Sequence, residues 1–192
     1  MEENKLKDRP ILNWHYRMGK HEGVHNNVYN RIIHWICIPC QIFATFLVFS
    51  NVEFGILDLL GYNLPINLSL ILLFSLVYIY SLLDLYGGLY TCILWTPLLI
   101  LANTMHQTMS FNSTSYEILF GLFFFISTFS IQIGIGHNVC EEGRDDTEDN
   151  MGELFHTKNP LYISLIPFYH HMEVLYAFGY DPKTYVDILV LL

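Results

Sequence analysis

From Ile32 to Gly143 the chain has no lysine and no arginine. The only acids in that stretch are Glu53, Asp58, Asp84, Glu117, Glu141 and Glu142. The whole chain of 192 residues is 53% hydrophobic and only 14% charged, against about 25% charged in ordinary soluble domains. A water-exposed surface cannot be built from so few charges, so a soluble fold is excluded and an integral membrane protein is expected. A basic patch is also missing, which argues against a nucleic-acid partner. Cys37, Cys40, Cys92 and Cys140 have no disulfide-framework spacing. Cys37 and Cys40 lie in an apolar run that disfavours a reactive thiolate, and they read as small core side chains. The first thirty residues contain no apolar h-region, so no cleavable signal peptide is expected. The closing "VDILVLL" is neither a prenylation nor an ER-retrieval signal.

What the chain does have is long apolar runs. Measured against the roughly 20 residues needed to cross a hydrocarbon core, four spans stand out: about 35–51, 64–83, 85–102 and 118–135. The second and third meet at "DLYGG", whose glycines suit a tight reversal. A fifth apolar segment, 161–178, carries His170, His171 and Glu173, and it fits a span, a re-entrant helix or an interfacial one. The fold class expected is therefore all-α, a polytopic membrane bundle of four to five helices forming a single domain over residues 1–192. Six of the nine basic residues precede the first span, which places the N-terminus, including an arm over 1–24, in the cytosol. The acidic run "EEGRDDTED" and the loop around it, 142–158, then return to the cytosolic side as a solvated loop. Asn112-Ser113-Thr114 is a sequon in an exterior loop, whereas Asn67-Leu68-Ser69 lies at a membrane edge and reads as chance.

This topology sorts the nine histidines. All but His106, expected as an exposed loop residue, fall on the cytosolic side. The first motif met is His21-Glu22-Gly23-Val24-His25, which matches the HExxH pattern of zinc proteases. The third ligand of the extended pattern fails, because Val28 and Arg31 stand where Gly and His belong, and Gly23 costs about 1 kcal/mol inside a helix. Histidine boxes of a di-iron lipid hydroxylase are only half present, in His21-x3-His25 and "YHH". A third reading uses His25, Asn30 and His34. Asn30 and His34 are i, i+4 and share a helix face. His25 and His34 differ by about 900° of helical rotation and converge only if the chain breaks between them, which "HNN" permits because Asn is a turn and N-cap residue. At the far end His137 and Glu141 are also i, i+4 if the fourth helix continues, beside Gly134 and Gly136. Two or three imidazoles and a carboxylate with open positions suit non-heme Fe(II) oxygen chemistry. Interfacial His, Asn and Glu at helix ends are equally compatible with a non-catalytic lipid-binding or scaffolding membrane protein.

At these residues the chain resembles the small ER-membrane 2-hydroxy fatty acid dioxygenases of the phytosphingosine, α-oxidation type. The resemblance runs from about Tyr16 to Tyr180. It rests on "HNNVYNRIIHWICIP" opening the first span, "QIGIGHNVCEE" closing the fourth and "PFYHHMEVLYAFGY" near the end. The chain departs from the family at Val28, usually Pro, at Cys37, often Gly, and in the acidic segment 142–158, which replaces a shorter basic one. The resemblance implies an ER-membrane enzyme that uses Fe(2+) and O2 to shorten a long-chain 2-hydroxy fatty acid by one carbon. It also implies His25, His34 and His137 as metal ligands, with Glu141 as a fourth ligand or as a carboxylate orienting an imidazole. Asn30, Glu141 and Glu173 are the catalytic polar candidates, and His170, His171 and Asp84 are further candidates for the metal.

Overall fold

A computed structural model describes residues 18, 27–59, 62–108, 114–140 and 160–180. His25, Glu141, the "HEGVH" motif, the loop 142–158 and the sequon at Asn112 lie outside these residues, as does the 1–24 arm apart from Met18.

The first helix, α1, runs Val28–Ser50. It starts where it does because Asn27 caps it: the Asn27 side chain accepts from the Tyr29 backbone N–H at 2.8 Å, which satisfies one of the open donors of a first turn. Of the "HNN" where a chain break was expected, Asn27 is extended and caps the helix that starts at Val28. Asn51 closes α1, its amide donating to the Leu47 carbonyl at 3.1 Å.

Beyond Asn51 the chain does not enter a second helix at once. It forms an antiparallel hairpin of β1, Glu53–Leu59, and β2, Tyr62–Asn67. Residues 64–67 were expected at the start of a helical span, and they are strand instead. The hairpin pairs them with 53–57, and Pro65, which has no N–H to give, takes a place in a two-stranded ribbon. Helix α2, Leu68–Leu83, follows directly, capped by Asn67. Asn67 Oδ1 accepts from Leu70 N at 3.0 Å, so this residue serves as a cap. Helix α3, Leu85–Thr108, begins after a reversal at Asp84 alone. The glycines of "DLYGG" are inside α3, and close packing explains them: a Cβ at Gly88 would lie 2.8 Å from the Ser81 Cα, and one at Gly87 would lie 2.7 Å from a Phe168 ring carbon.

Helix α4, Thr114–Ile131, passes without interruption into a π-helical segment, Gln132–His137. The last helix described is α5, Pro160–Ala177. Helix α1 packs against α3, α4 and the π segment, and α2 packs against α3. Gly121 of α4 lets that helix approach α1 closely, since a Cβ there would fall 2.6 Å from Val48 Cγ2. Small residues at such crossings are how helices pack where no water drives them together. The core joins Phe46 and Leu47 of α1, Tyr80 of α2, Trp95 and Leu99 of α3, and Phe168 and Met172 of α5. Met18, from the arm expected to be cytosolic, is fully buried in the same cluster.

Three of these stretches, Val28–Ser50, Leu85–Thr108 and Thr114–His137, are long and apolar enough to cross a membrane. The shorter α2 is apolar as well. Large apolar side chains face outward, with Ile93 73% and Phe123 71% exposed. An outward apolar surface of this extent suits contact with lipid.

At the end of the bundle near the hairpin, Ser50, Asn67, Ser69 and Asn103 form a buried polar knot. Asn67 Nδ2 donates to Asn103 Oδ1 at 2.7 Å, and Ser69 Oγ donates to Asn67 Oδ1 at 2.7 Å. Close by, His106 is not an exposed loop residue. It sits in the last turn of α3 with Nδ1 3.0 Å from both oxygens of the buried Glu117, and its Nε2 is 3.5 Å from Glu53.

Candidate functional site

At the opposite end of the bundle α1 begins, α4 ends and α5 lies against both. Asn30 and His34, one turn apart on α1, are 0% and 3% exposed. Both face the π segment, and Asn27 locks the register there by donating its amide N–H to the Cys140 carbonyl at 2.6 Å. Gly136 is needed for this approach, because a Cβ on it would lie 2.5 Å from Asn30 Oδ1.

The π segment shapes the site. Its backbone bonds run from Asn138 N to Ile133 O at 3.1 Å and from Cys140 N to Ile135 O at 3.0 Å, each spanning five residues. A π turn brings residues five apart to within about 50° of each other around the axis, whereas an α-helix would put them about 140° apart. Gln132 and His137 are five apart, so both reach the ring of His34. Gln132 meets Nδ1 through its side-chain amide. His137 meets the other nitrogen, with Nε2 to Nε2 at 3.2 Å and the rings edge-on at 75°. The expected i, i+4 relation of His137 with Glu141 presumed a continuing α-helix. The helix there is π and then turns, and Glu141 is outside the described residues.

A third imidazole completes a stack. His170 of α5 lies over His34 with ring centres 4.6 Å apart and planes 21° from parallel. Its orientation is fixed by Glu173, whose Oε2 accepts from His170 Nδ1 at 2.8 Å and from Trp35 Nε1 at 3.3 Å. This places Glu173 as a carboxylate that orients an imidazole, a pairing common around metal-binding histidines. His170 and Glu173 are 2% and 4% exposed.

Two other candidates point elsewhere. His171 bonds Thr91 through Nδ1 at 2.9 Å and packs its ring among Tyr80, Tyr90 and Trp95. Adjacent residues on a helix project about 100° apart, so His170 and His171 cannot serve one point together. Asp84 is a helix cap: Oδ1 accepts from Gly87 N at 2.7 Å, and Oδ2 accepts from the Tyr180 hydroxyl at 2.8 Å. Its side chain is thereby committed to starting α3 and holding the end of α5.

Sequence reasoning passed over three residues: Gln132, Gln41 and Trp35. Gln41 donates to Gln132 Oε1 at 2.6 Å, so a chain of two amides backs His34 from within the bundle. The signal was there, since Gln41 and Gln132 are side-chain amides inside otherwise apolar helical runs, and buried polar groups at membrane depth mark sites.

An ion with 2.0–2.2 Å bonds to imidazole sets two neighbouring ligand nitrogens about 3.0–3.5 Å apart. The 3.2 Å between the Nε2 atoms of His34 and His137 lies within that spacing. Among the described residues no set of three or more His, Cys, Asp or Glu takes up a metal-holding geometry. His25 and Glu141, expected to complete the set, are not among those residues.

No protein-family description, curated protein or solved structure matches the chain.

Proposed function

We propose that the protein is a membrane-embedded iron(II)-dependent dioxygenase that shortens long-chain 2-hydroxy fatty acids by one carbon. The observation that carries this reading is the meeting of His34 and His137, 103 positions apart in the chain, with their Nε2 atoms 3.2 Å apart inside an apolar bundle. His34 and His137 would hold the ion, with His25 and Glu141 completing its protein ligands. Bound there, iron(II) supplies O2 activation and a chelating position for the carboxylate and hydroxyl of a 2-hydroxy acid.

The chain's own residues do the rest. Glu173 holds His170 as a wall stacked on His34, which fixes the ring plane of the ligand it covers. Asn30, at the base of the same face, offers an amide for an acid headgroup. The apolar flanks of α1 and α4 exclude water and accept an acyl tail, which gives a reason for a fatty-acid enzyme to be built in a membrane. In this reading α2 joins the three longer helices as a fourth span, and α5 is a fifth or an interfacial helix. The five basic residues before α1, with Arg31 in its first turn, hold the N-terminus in the cytosol of an ER membrane.

The second reading is a non-catalytic lipid-binding or scaffolding protein. It draws on the same distance, because 3.2 Å also suits a hydrogen bond from one neutral imidazole to the other. Iron analysis and oxygen uptake on detergent-purified protein separate the two. The dioxygenase retains iron and consumes O2 with a 2-hydroxy acid, and the scaffold does neither.

A further inference from the structure

The proton on His34 is controlled from a distance. A side-chain amide has one donating end and one accepting end of nearly the same shape, so the chain Gln41–Gln132–His34 has two self-consistent directions. In the first, Gln41 donates to Gln132 Oε1, and Gln132 donates to His34 Nδ1. The His34 proton then sits on Nε2 and bonds His137 Nε2 across 3.2 Å. In the second both amides are turned over: His34 Nδ1–H donates to Gln132 Oε1, and Gln132 donates to Gln41 Oε1. His34 Nε2 then presents a lone pair to the point that His137 Nε2 also faces. With His137 protonated on Nδ1, the two lone pairs repel unless a cation lies between them; without a cation, His137 carries its proton on Nε2 and donates to His34.

We infer that Gln132 and Gln41 form a two-state amide relay that switches His34 from hydrogen-bond donor to cation ligand, Gln132 acting as the positioning residue and Gln41 holding it. The relay explains how buried imidazoles are satisfied both with and without an ion, since each state fills every bond in the chain. The π turn is what brings Gln132 and His137, five apart in the chain, to opposite nitrogens of one ring. Its role in catalysis rests on the iron reading, but the tautomer change itself does not require iron.

The test uses the full-length protein in lipid nanodiscs with 15N-labelled histidine, which reports the tautomer of each ring, and Zn2+ as a diamagnetic probe. His34→Asn identifies the His34 signals. Metal-free wild type should carry the His34 proton on Nε2, and Zn2+ should move it to Nδ1. Gln132→Glu, which can only accept, should place the proton on Nδ1 before any metal is added. Gln132→Leu should weaken Zn2+ binding about 10–100-fold, and Gln132→Glu should restore it. If wild type, Gln132→Leu and Gln132→Glu share one tautomer and one Zn2+ affinity, the relay is overturned. If wild type takes up no Zn2+, the switch to a cation ligand is overturned together with the iron reading, whereas Zn2+ binding with the tautomer shift but no oxygen uptake by the iron-loaded protein would leave the relay standing and remove the iron reading. Gln132→Glu keeps the test decisive should Gln132→Leu fail to fold.

Discussion

His34 is the residue on which the site turns. One imidazole meets Gln132 on one nitrogen, His137 on the other and His170 on its face. Removing it deletes every one of these contacts, so His34→Ala should abolish activity and lower metal occupancy together. His171→Phe is the contrasting substitution. His171 packs among three aromatic rings and bonds only Thr91 among the contacts described, so its loss should reduce thermal stability while the metal content measured by mass spectrometry stays at the wild-type level. Glycine 136 carries a third residue-scale expectation. A methyl placed 2.5 Å from Asn30 Oδ1 forces either α1 or the π segment to move. Gly136→Ala should therefore cost about 1–3 kcal/mol, read as a lower melting temperature in detergent, and should weaken metal binding in parallel. The pairing of Asn30 with His34 was legible in the sequence because i, i+4 spacing is a property of any α-helix. The parting of His170 from His171 was not, because it depends on where α3 lies beside α5.

At the scale of elements the π segment and the cap at Asn27 do the positioning. A π turn has no sequence signature as firm as a heptad or a sequon, so Gln132 and His137 could not be seen to share a face from their spacing of five. An α-helix puts that spacing on different sides. Inserting a single alanine after Ile135, which is half exposed, should rotate His137 by about 100° away from His34. Circular dichroism should show helix content unchanged, and Zn2+ affinity should fall at least about tenfold. Loss of the cap tests the other partner. Asn27→Ala removes both the bond to Tyr29 N and the tie to the Cys140 carbonyl, and it should destabilise the protein by about 1 kcal/mol or more. The caps themselves were readable, since Asn before an apolar run is a start signal for a helix. The hairpin was not, because most of it lies in the stretch between the first two expected spans, and only pairing of β1 with β2 identifies it as strand.

For the whole molecule, polarity is divided between two ends joined by apolar helices. One end holds the knot of Ser50, Asn67, Ser69 and Asn103 and the His106–Glu117 pair. The other holds the imidazoles, and three long helices separate them. Charge-free runs made the helical membrane class plain from the sequence, because long stretches without Lys or Arg leave no other solvent for such a surface. They also placed His34 and His137 at one end through alternation of direction alone. Distances within that end required the packing of α1 against α4. The protein should remain in the membrane fraction after alkaline carbonate washing and be released only by detergent.

The central claim is that His34 and His137 hold an iron ion that works on a 2-hydroxy acid. Oxygen uptake by detergent-purified, iron-loaded protein supplied with a long-chain 2-hydroxy fatty acid tests it most directly, with the fatty-acid product identified by mass. The account predicts O2 consumption matched by an acid one carbon shorter, and its loss in His34→Ala and in His137→Ala. Uptake undiminished in the doubly substituted protein, or no uptake by wild type with iron present, would contradict it.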